Sequence, residues 1–166
     1  MRELDLSSES FRATTGRYAT GVAVVTATVD GIDHAMTTNS FTSLSLDPLL
    51  VLFCVERDSR FHEAITATAS FSISVLPASA QPAARWFAER GRPLIDQFSE
   101  IPHVRGVQGS PLLSAALCWI ECSISQIVTA GDHDIVIGAV EHLLVSDDDD
   151  EPLVFWKGRF RALPGS

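Results

Sequence analysis

The chain is poor in cysteine, poor in positive charge and free of long apolar runs, and each shortage removes a class of function. Its three cysteines, Cys54, Cys118 and Cys122, form an odd set without C-x-x-C spacing, which speaks against a disulfide framework and against a zinc knuckle. They read as reduced, partly buried small hydrophobes. No apolar run reaches the ~20 residues that a membrane-spanning helix needs, so no membrane partner is expected. The opening Met1-Arg2-Glu3-Leu4-Asp5-Leu6-Ser7 places acids where a signal peptide needs an apolar core, and the expected location is the cytoplasm. Twelve basic residues face 21 acidic ones, for a net charge of −9. Such a balance disfavours nucleic acid, whose binding depends on neutralising phosphates. Five of the acids are the run Asp147-Asp148-Asp149-Asp150-Glu151. That run reads as a solvated turn between strands; a calcium loop ranks behind it, since the glycine and spacing of an EF-hand are missing. There is also no G-x-G-x-x-G, so the acid that usually reads a nucleotide ribose is absent.

At 166 residues and 46% hydrophobic composition, the chain is sized for one domain with one substantial core. No internal repeat is visible. The dominant pattern is that of strands. Ala19 to Val29 is rich in Val and Thr, and Asp30-Gly31 then signals a hairpin with Ile32 to Asn39 returning antiparallel. Asp47-Pro48 opens the apolar run Leu49 to Val55, and Phe71 to Leu76 alternates apolar residues with serines. Leu117 to Val128, Asp134 to Val145 and Leu153 to Arg161 read as three later strands. Helices are expected at Phe11 to Tyr18, at Arg60 to Thr68 behind a Ser59 cap, and from a Ser79 cap to Arg90. Gly91 to Pro111 is rich in Gly, Pro and His and should leave the sheet. Hairpin-ordered strands with a few crossing helices suggest a closed or nearly closed antiparallel barrel, a form that removes exposed sheet edges. Side chains fill the inside of a small barrel, so a ligand is expected outside it or at a subunit interface.

Between two apolar runs stands Ala35-Met36-Thr37-Thr38-Asn39-Ser40-Phe41-Thr42-Ser43-Leu44-Ser45. Small hydroxyl and amide side chains leave backbone accessible there, and they offer the donors that the pyrimidine edge of a flavin requires. An ordinary loop has the same composition. The histidines His34, His62, His103 and His142 show no ligand spacing, so no metal is assigned and surface or edge positions are expected for them. Serines are too numerous for any Ser/His/Asp set to be singled out.

The order of motifs narrows the choice. Phe11-Arg12, Gly16-Arg17-Tyr18-Ala19-Thr20-Gly21-Val22, Met36 to Phe41, Ser43 to Pro48, Phe71 to Leu76, Trp86-Phe87-Ala88, Gly131-Asp132-His133, Gly138, Pro152 to Phe155 and Gly158-Arg159-Phe160 follow one another along nearly the whole chain. In this ordered set the chain resembles the flavin reductases of two-component monooxygenase systems. It departs from that family's pattern at Ala35, Leu49 and Ser74.

The resemblance implies a mainly β fold, an antiparallel Greek-key split β-barrel (the FMN-binding split barrel) with a few crossing helices, as a single flavin reductase-like domain over residues 1–166. It implies hydride transfer from NADH, with NADPH possible, to FAD or FMN. Reduced flavin would then pass to a flavin-dependent monooxygenase component. It also implies a homodimer. By position, Thr37, Thr38, Asn39, Ser40, Phe41, Thr42 and Ser43 would lie along the isoalloxazine and ribityl chain, with Cys54 and Val55 at the ring or tail. Ser59, Arg60 and Phe61 would bind the flavin phosphate, and a helix start with an adjacent Arg is a suitable anion site. His133 would sit near the nicotinamide; the plainer alternative is a turn histidine between two strands. No catalytic acid or base is assigned, because the redox difference is intrinsic to the two cofactors. A split-barrel flavoprotein, or a flavin- or haem-binding module without nicotinamide turnover, is the alternative function.

Overall fold

The computed structural model describes residues 3–148 and 150–163. Met1, Arg2 and the Asp149 of the acidic run therefore lie outside the described residues. Helix α1 (Ser8–Thr15) begins where Ser7 accepts the Ser10 N–H at 3.2 Å and ends at Gly16. That cap shifts the helix toward the N-terminus of the expected Phe11 to Tyr18. The strand expected from Ala19 is two strands, β1 (Thr20–Gly21) and β2 (Ala23–Val29), because each joins a different sheet. Asp30 and Gly31 both adopt positive φ, 50° and 78°, and turn β2 into β3 (Ile32–Thr38). Here glycine at the second turn position relieves the steric cost of the left-handed region.

The polar segment after β3 contains a strand that its composition hides: β4 (Thr42–Leu46), which pairs antiparallel with β5 (Leu49–Glu56) through an irregular register between Ser43 and Ser45. Helix α2 (Arg60–Thr66) starts as expected, with Ser59 Oγ accepting the His62 N–H at 3.2 Å. After β6 (Ser70–Val75), a 3-10 turn at Ala78–Ala80 leads into α3 (Gln81–Ala88). Ser79 is not its cap; α3 has no side-chain cap, and Pro82 sits in its first turn, where its missing N–H costs nothing. The excursion from Gly91 carries the small hairpin of β7 (His103–Arg105) and β8 (Pro111–Leu113). The long ribbon β9 (Cys118–Ala130) and β10 (His133–Val145) follows. The last expected strand is again two, β11 (Val154–Trp156) and β12 (Arg159–Arg161), turned by Lys157 and Gly158 at positive φ. Asp147, Asp148 and Asp150 are exposed between β10 and β11, as a solvated turn requires.

One sheet has the order β3-β2-β6-β9-β10-β5-β4 with antiparallel pairing throughout, and β1, β11 and β12 form a second. The result is an antiparallel Greek-key split β-barrel with a few helices across it. Alternation along β5 buries Val51, Phe53 and Val55 inside, where they meet Phe71, Ile73, Val25 and Val136. Helix α2 adds Phe61 and Ile65 to this core. A second core lies outside the sheet: Val22, Val24, Ala35 and Leu76 pack under Ala84 and Phe87 of α3 and under Phe98 of the excursion. Each Leu or Phe that becomes fully buried contributes about 1.5–3 kcal/mol. The two cores therefore grip β2 from both faces.

Candidate active site

The barrel is split where the polar segment lies. Strands β3 and β4 are the two edges of the seven-stranded sheet, and Asn39-Ser40-Phe41 carries the chain from one to the other. Ser40 ties this crossing to β5: its Oγ accepts the Cys54 N–H at 2.9 Å and lies 2.8 Å from Thr38 Oγ1. Asn39 Nδ2 donates to Thr20 Oγ1 at 3.2 Å. A short chain of hydroxyl and amide groups thus ties the crossing between the two sheet edges to β5 and to β1.

A cavity stands on either side. The first, of about 460 Å³, is lined by Thr37, Glu56, Ser59, Arg60, Arg90 and Arg92 among others. The second, of about 740 Å³, is lined by Tyr18, Thr20, Asn39, Ser40, Phe41 and Phe155 among others. The stretch from Thr37 to Thr42 runs from the wall of the first into the wall of the second. Thr37 faces the first and bonds through Oγ1 to the Ala84 carbonyl at 2.7 Å, while Asn39 to Thr42 face the second. Ser43 is exposed on β4. Cys54 is half-buried, whereas Val55 is fully buried in the barrel core and Phe61 is 5% exposed. Val55 and Phe61 thus offer a ligand little besides their main chain.

The first cavity's wall sets three cations, Arg60, Arg90 and Arg92, among three acids, Glu56, Asp58 and Glu89, and main-chain carbonyls hold Arg60 and Arg92 in place. Arg60 Nη1 donates to the Arg92 carbonyl at 2.9 Å. Arg92 itself donates to the carbonyls of Phe87 at 3.1 Å and Glu89 at 2.9 Å, to that of Ala35, and to Gln97 Oε1 at 3.1 Å. Burial lowers its pKa to about 10, which leaves it charged at neutral pH. Arg90 forms an ion pair with Glu56. Burial, followed by the nearby Arg60, holds His34 below its ordinary value, so a neutral imidazole faces the same cavity.

His133 lines neither cavity, but the β5–β10 ladder sets it beside Glu56 of the first cavity's wall. It begins β10 directly opposite Glu56 of β5, and paired residues in an antiparallel ladder project to the same face. Its Nδ1 lies 2.8 Å from Asp132 Oδ1, a bond that draws the Asp132 carboxyl below the usual range. His62 is not the surface histidine expected: it is largely buried and stands 2.8 Å from Asp134 Oδ2. His34, in the cavity wall, lies partly exposed on the edge strand β3, as expected. Arg90, Arg92 and Glu56 were missed by sequence reasoning. Arg90-Gly91-Arg92, two cations around a glycine in an acidic chain, was the available signal. No helix among the described residues is long and apolar enough to cross a membrane, and none of their His, Cys, Asp or Glu side chains gather in a metal-holding group.

The model for the flavin reductase like domain matches residues 15–164. The chain belongs to this flavin reductase-like family. Among its relatives, an NADH-dependent FAD reductase of Streptomyces globisporus is 43% identical over 149 residues, 88% of this chain and 80% of the relative. The reductase subunit HsaB of a flavin-dependent monooxygenase from Mycobacterium tuberculosis is 33% identical over 95% of this chain and 83% of its own. The Streptomyces globisporus NADH:FAD oxidoreductase SgcE6, solved in complex with NAD and FAD fragments, superimposes with a TM-score of 0.92 at 37% identity, covering 99% of this chain and 98% of that one. BorF, the flavin reductase component of a bacterial two-component tryptophan halogenase, gives a TM-score of 0.90 at 42% identity over 96% and 100% of the two chains. In this flavin reductase-like protein the matched region contains the seam, both cavities' walls from Thr15 onward, and His133.

Proposed function

We propose that this chain is an NAD(P)H:flavin oxidoreductase that passes hydride from NADH to FAD or FMN and supplies the reduced flavin to a separate flavin-dependent monooxygenase. The observation that supports this reading is that Thr37 and Arg60 line one cavity, Asn39 to Thr42 line the next, and His133 is paired in the ladder with Glu56 of the first cavity's wall. A flavin bound along the seam supplies the redox chemistry, accepting the hydride that the nicotinamide gives up. The protein's share is binding and orientation. Arg60 uses Nη1 on the Arg92 carbonyl, and its other N–H groups have no protein acceptor among the described residues, so they suit a flavin phosphate. Asn39 and Ser40 present polar atoms to the ring's pyrimidine edge. Ser59 and the Phe61 main chain complete the phosphate end, and Cys54 with Val55 underlies the ring. His133, its tautomer set by Asp132, orients the nicotinamide nucleotide.

Residues 1–166 act in this reading as one flavin reductase-like domain, in the cytoplasm where reduced nicotinamide nucleotide is available. A homodimer is part of the proposal. Its support is the outward face of β5 and β10, where Leu50, Leu52, Ile135 and Ile137 are only partly covered and alternate with the core residues. Light scattering on the eluting protein measures that state. The activity is tested anaerobically with NADH or NADPH and free FAD or FMN, following loss of the oxidised flavin band. Turnover with at least one pair is expected; failure of all four leaves a binding module in its place.

A further inference from the structure

His62 and Asp134, 72 residues apart in the chain, join α2 to the start of β10 through one side-chain hydrogen bond. His62 is tied in two directions. Its main-chain N–H donates to Ser59 Oγ at 3.2 Å, beside Arg60, and its Nε2 stands 2.8 Å from Asp134 Oδ2, beside His133. Asp134 is 6% exposed, and its second oxygen, Oδ1, is buried without a hydrogen-bond partner among the described residues. Arg57 Nε stands 3.7 Å from that oxygen, and the Arg57 main-chain N–H donates to the Asp132 carbonyl at 3.0 Å. The loop between β5 and α2 is thereby fastened to β10 on both sides of His133.

A buried carboxylate with one hydrogen bond is a poor device for stability, since an apolar pair of the same volume packs without any desolvation cost. It is a good device for fixing geometry, because a directional bond between two rigid elements sets their spacing. We propose that Asp134 is a positioning residue of the flavin site: by holding His62 it seats α2, and with it Ser59 and Arg60, at a fixed distance from His133. The inference rests on the proposed role of Arg60 as a ligand of the flavin phosphate. Hydride transfer needs flavin and nicotinamide aligned closely, and displacement of either holding residue by about 1 Å is enough to be felt. Asp134 makes one bond span the two.

The test compares His62→Phe, which fills the space without a donor, with His62→Gln, whose amide can still donate to Asp134. Dissociation constants for FMN and for riboflavin are measured by fluorescence titration on protein shown to be folded by circular dichroism. The wild-type protein and Arg60→Ala serve as references. His62→Phe should reduce the preference for FMN over riboflavin about tenfold, the scale typical of losing a partner that orients a ligand-binding side chain. His62→Gln should stay within about threefold of wild type, and riboflavin affinity should hardly change in either. If the unpaired Asp134 prevents His62→Phe from folding, the double variant His62→Phe with Asp134→Leu is read in the same way. An unchanged preference in the folded variant, while Arg60→Ala abolishes it, overturns the inference and leaves the proposed function standing. A wild-type protein that binds FMN and riboflavin equally removes the phosphate role of Arg60, and the inference with it.

Discussion

The Phe71 ring occupies the space that any side chain at position 138 would need. A Cβ on Gly138 would lie 2.4 Å from Phe71 Cζ and 2.9 Å from Cys122 Cβ. Phe71 cannot yield easily, because it is fully buried and packs edge-on against Phe53 with centroids 5.2 Å apart. The glycine of β10 thus lets a large ring lie across the barrel interior.

Gly138→Ala should therefore destabilise the fold by about 1–3 kcal/mol through overpacking. Urea unfolding followed by tryptophan fluorescence measures it. An unchanged midpoint would mean that the barrel has slack beside Phe71.

Arg60→Ala removes a charge-assisted hydrogen bond worth about 1.5–3 kcal/mol, so FMN and FAD should bind roughly 10- to 100-fold more weakly. Riboflavin, which lacks the phosphate, should be affected much less. The contrast between ligands is the readout, since general damage would weaken all three together. Equal affinity of wild type and variant for FMN would move the phosphate site elsewhere.

His133→Ala should raise the KM for NADH or lower kcat/KM for it, with flavin affinity nearly unchanged, because one of the two substrates loses a contact. Stopped-flow reduction at varied NADH separates the cases. Equal damage to both substrates would assign His133 to the turn alone.

The Asp134 carboxyl lies below its ordinary range, chiefly because of the bond with His62, while burial opposes the shift. A carboxyl lowered in the folded state contributes stability that is complete above its unfolded pKa, about 3.9. That contribution is lost as the pH falls through the lower folded value. Wild-type stability should thus decline in acid below this point, and Asp134→Asn should flatten that part of the curve. Thermal melts between pH 2.5 and 6 would show it, and parallel curves would refute it; these limits bracket the usual carboxylate range of about 3.9.

Much of the fold was legible because its signals are local. Asp30-Gly31 turns β2 into β3 through two adjacent left-handed residues, and Ser59 caps α2 three residues from the N–H it receives. The apolar alternation of β5 names its own buried face. Local signals misled where caps competed. Ser7 drew α1 upstream, and Ser79 fell in a 3-10 turn.

The site divides along the same line. Composition marked residues 35–45 as a candidate ligand stretch or an ordinary loop, and the ordered motifs supplied the family and, through it, residues 37–43. Composition could not show that β3 and β4 are opposite edges of one sheet, so the stretch looked like a loop when it links the two edges and continues into a strand. Arg60 is supported by the carbonyl of Arg92, 32 residues away, and His62 by Asp134, 72 residues away. The sequence by itself determined the main strands, the start of α2 and the buried face of β5, because propensity, capping and alternation act over a few residues. Only the tertiary structure decided that Arg60 and Glu56 line one cavity and that His133 pairs with Glu56, since that depends on strand register and on the entropy of closing long loops, neither of which any short stretch of sequence records.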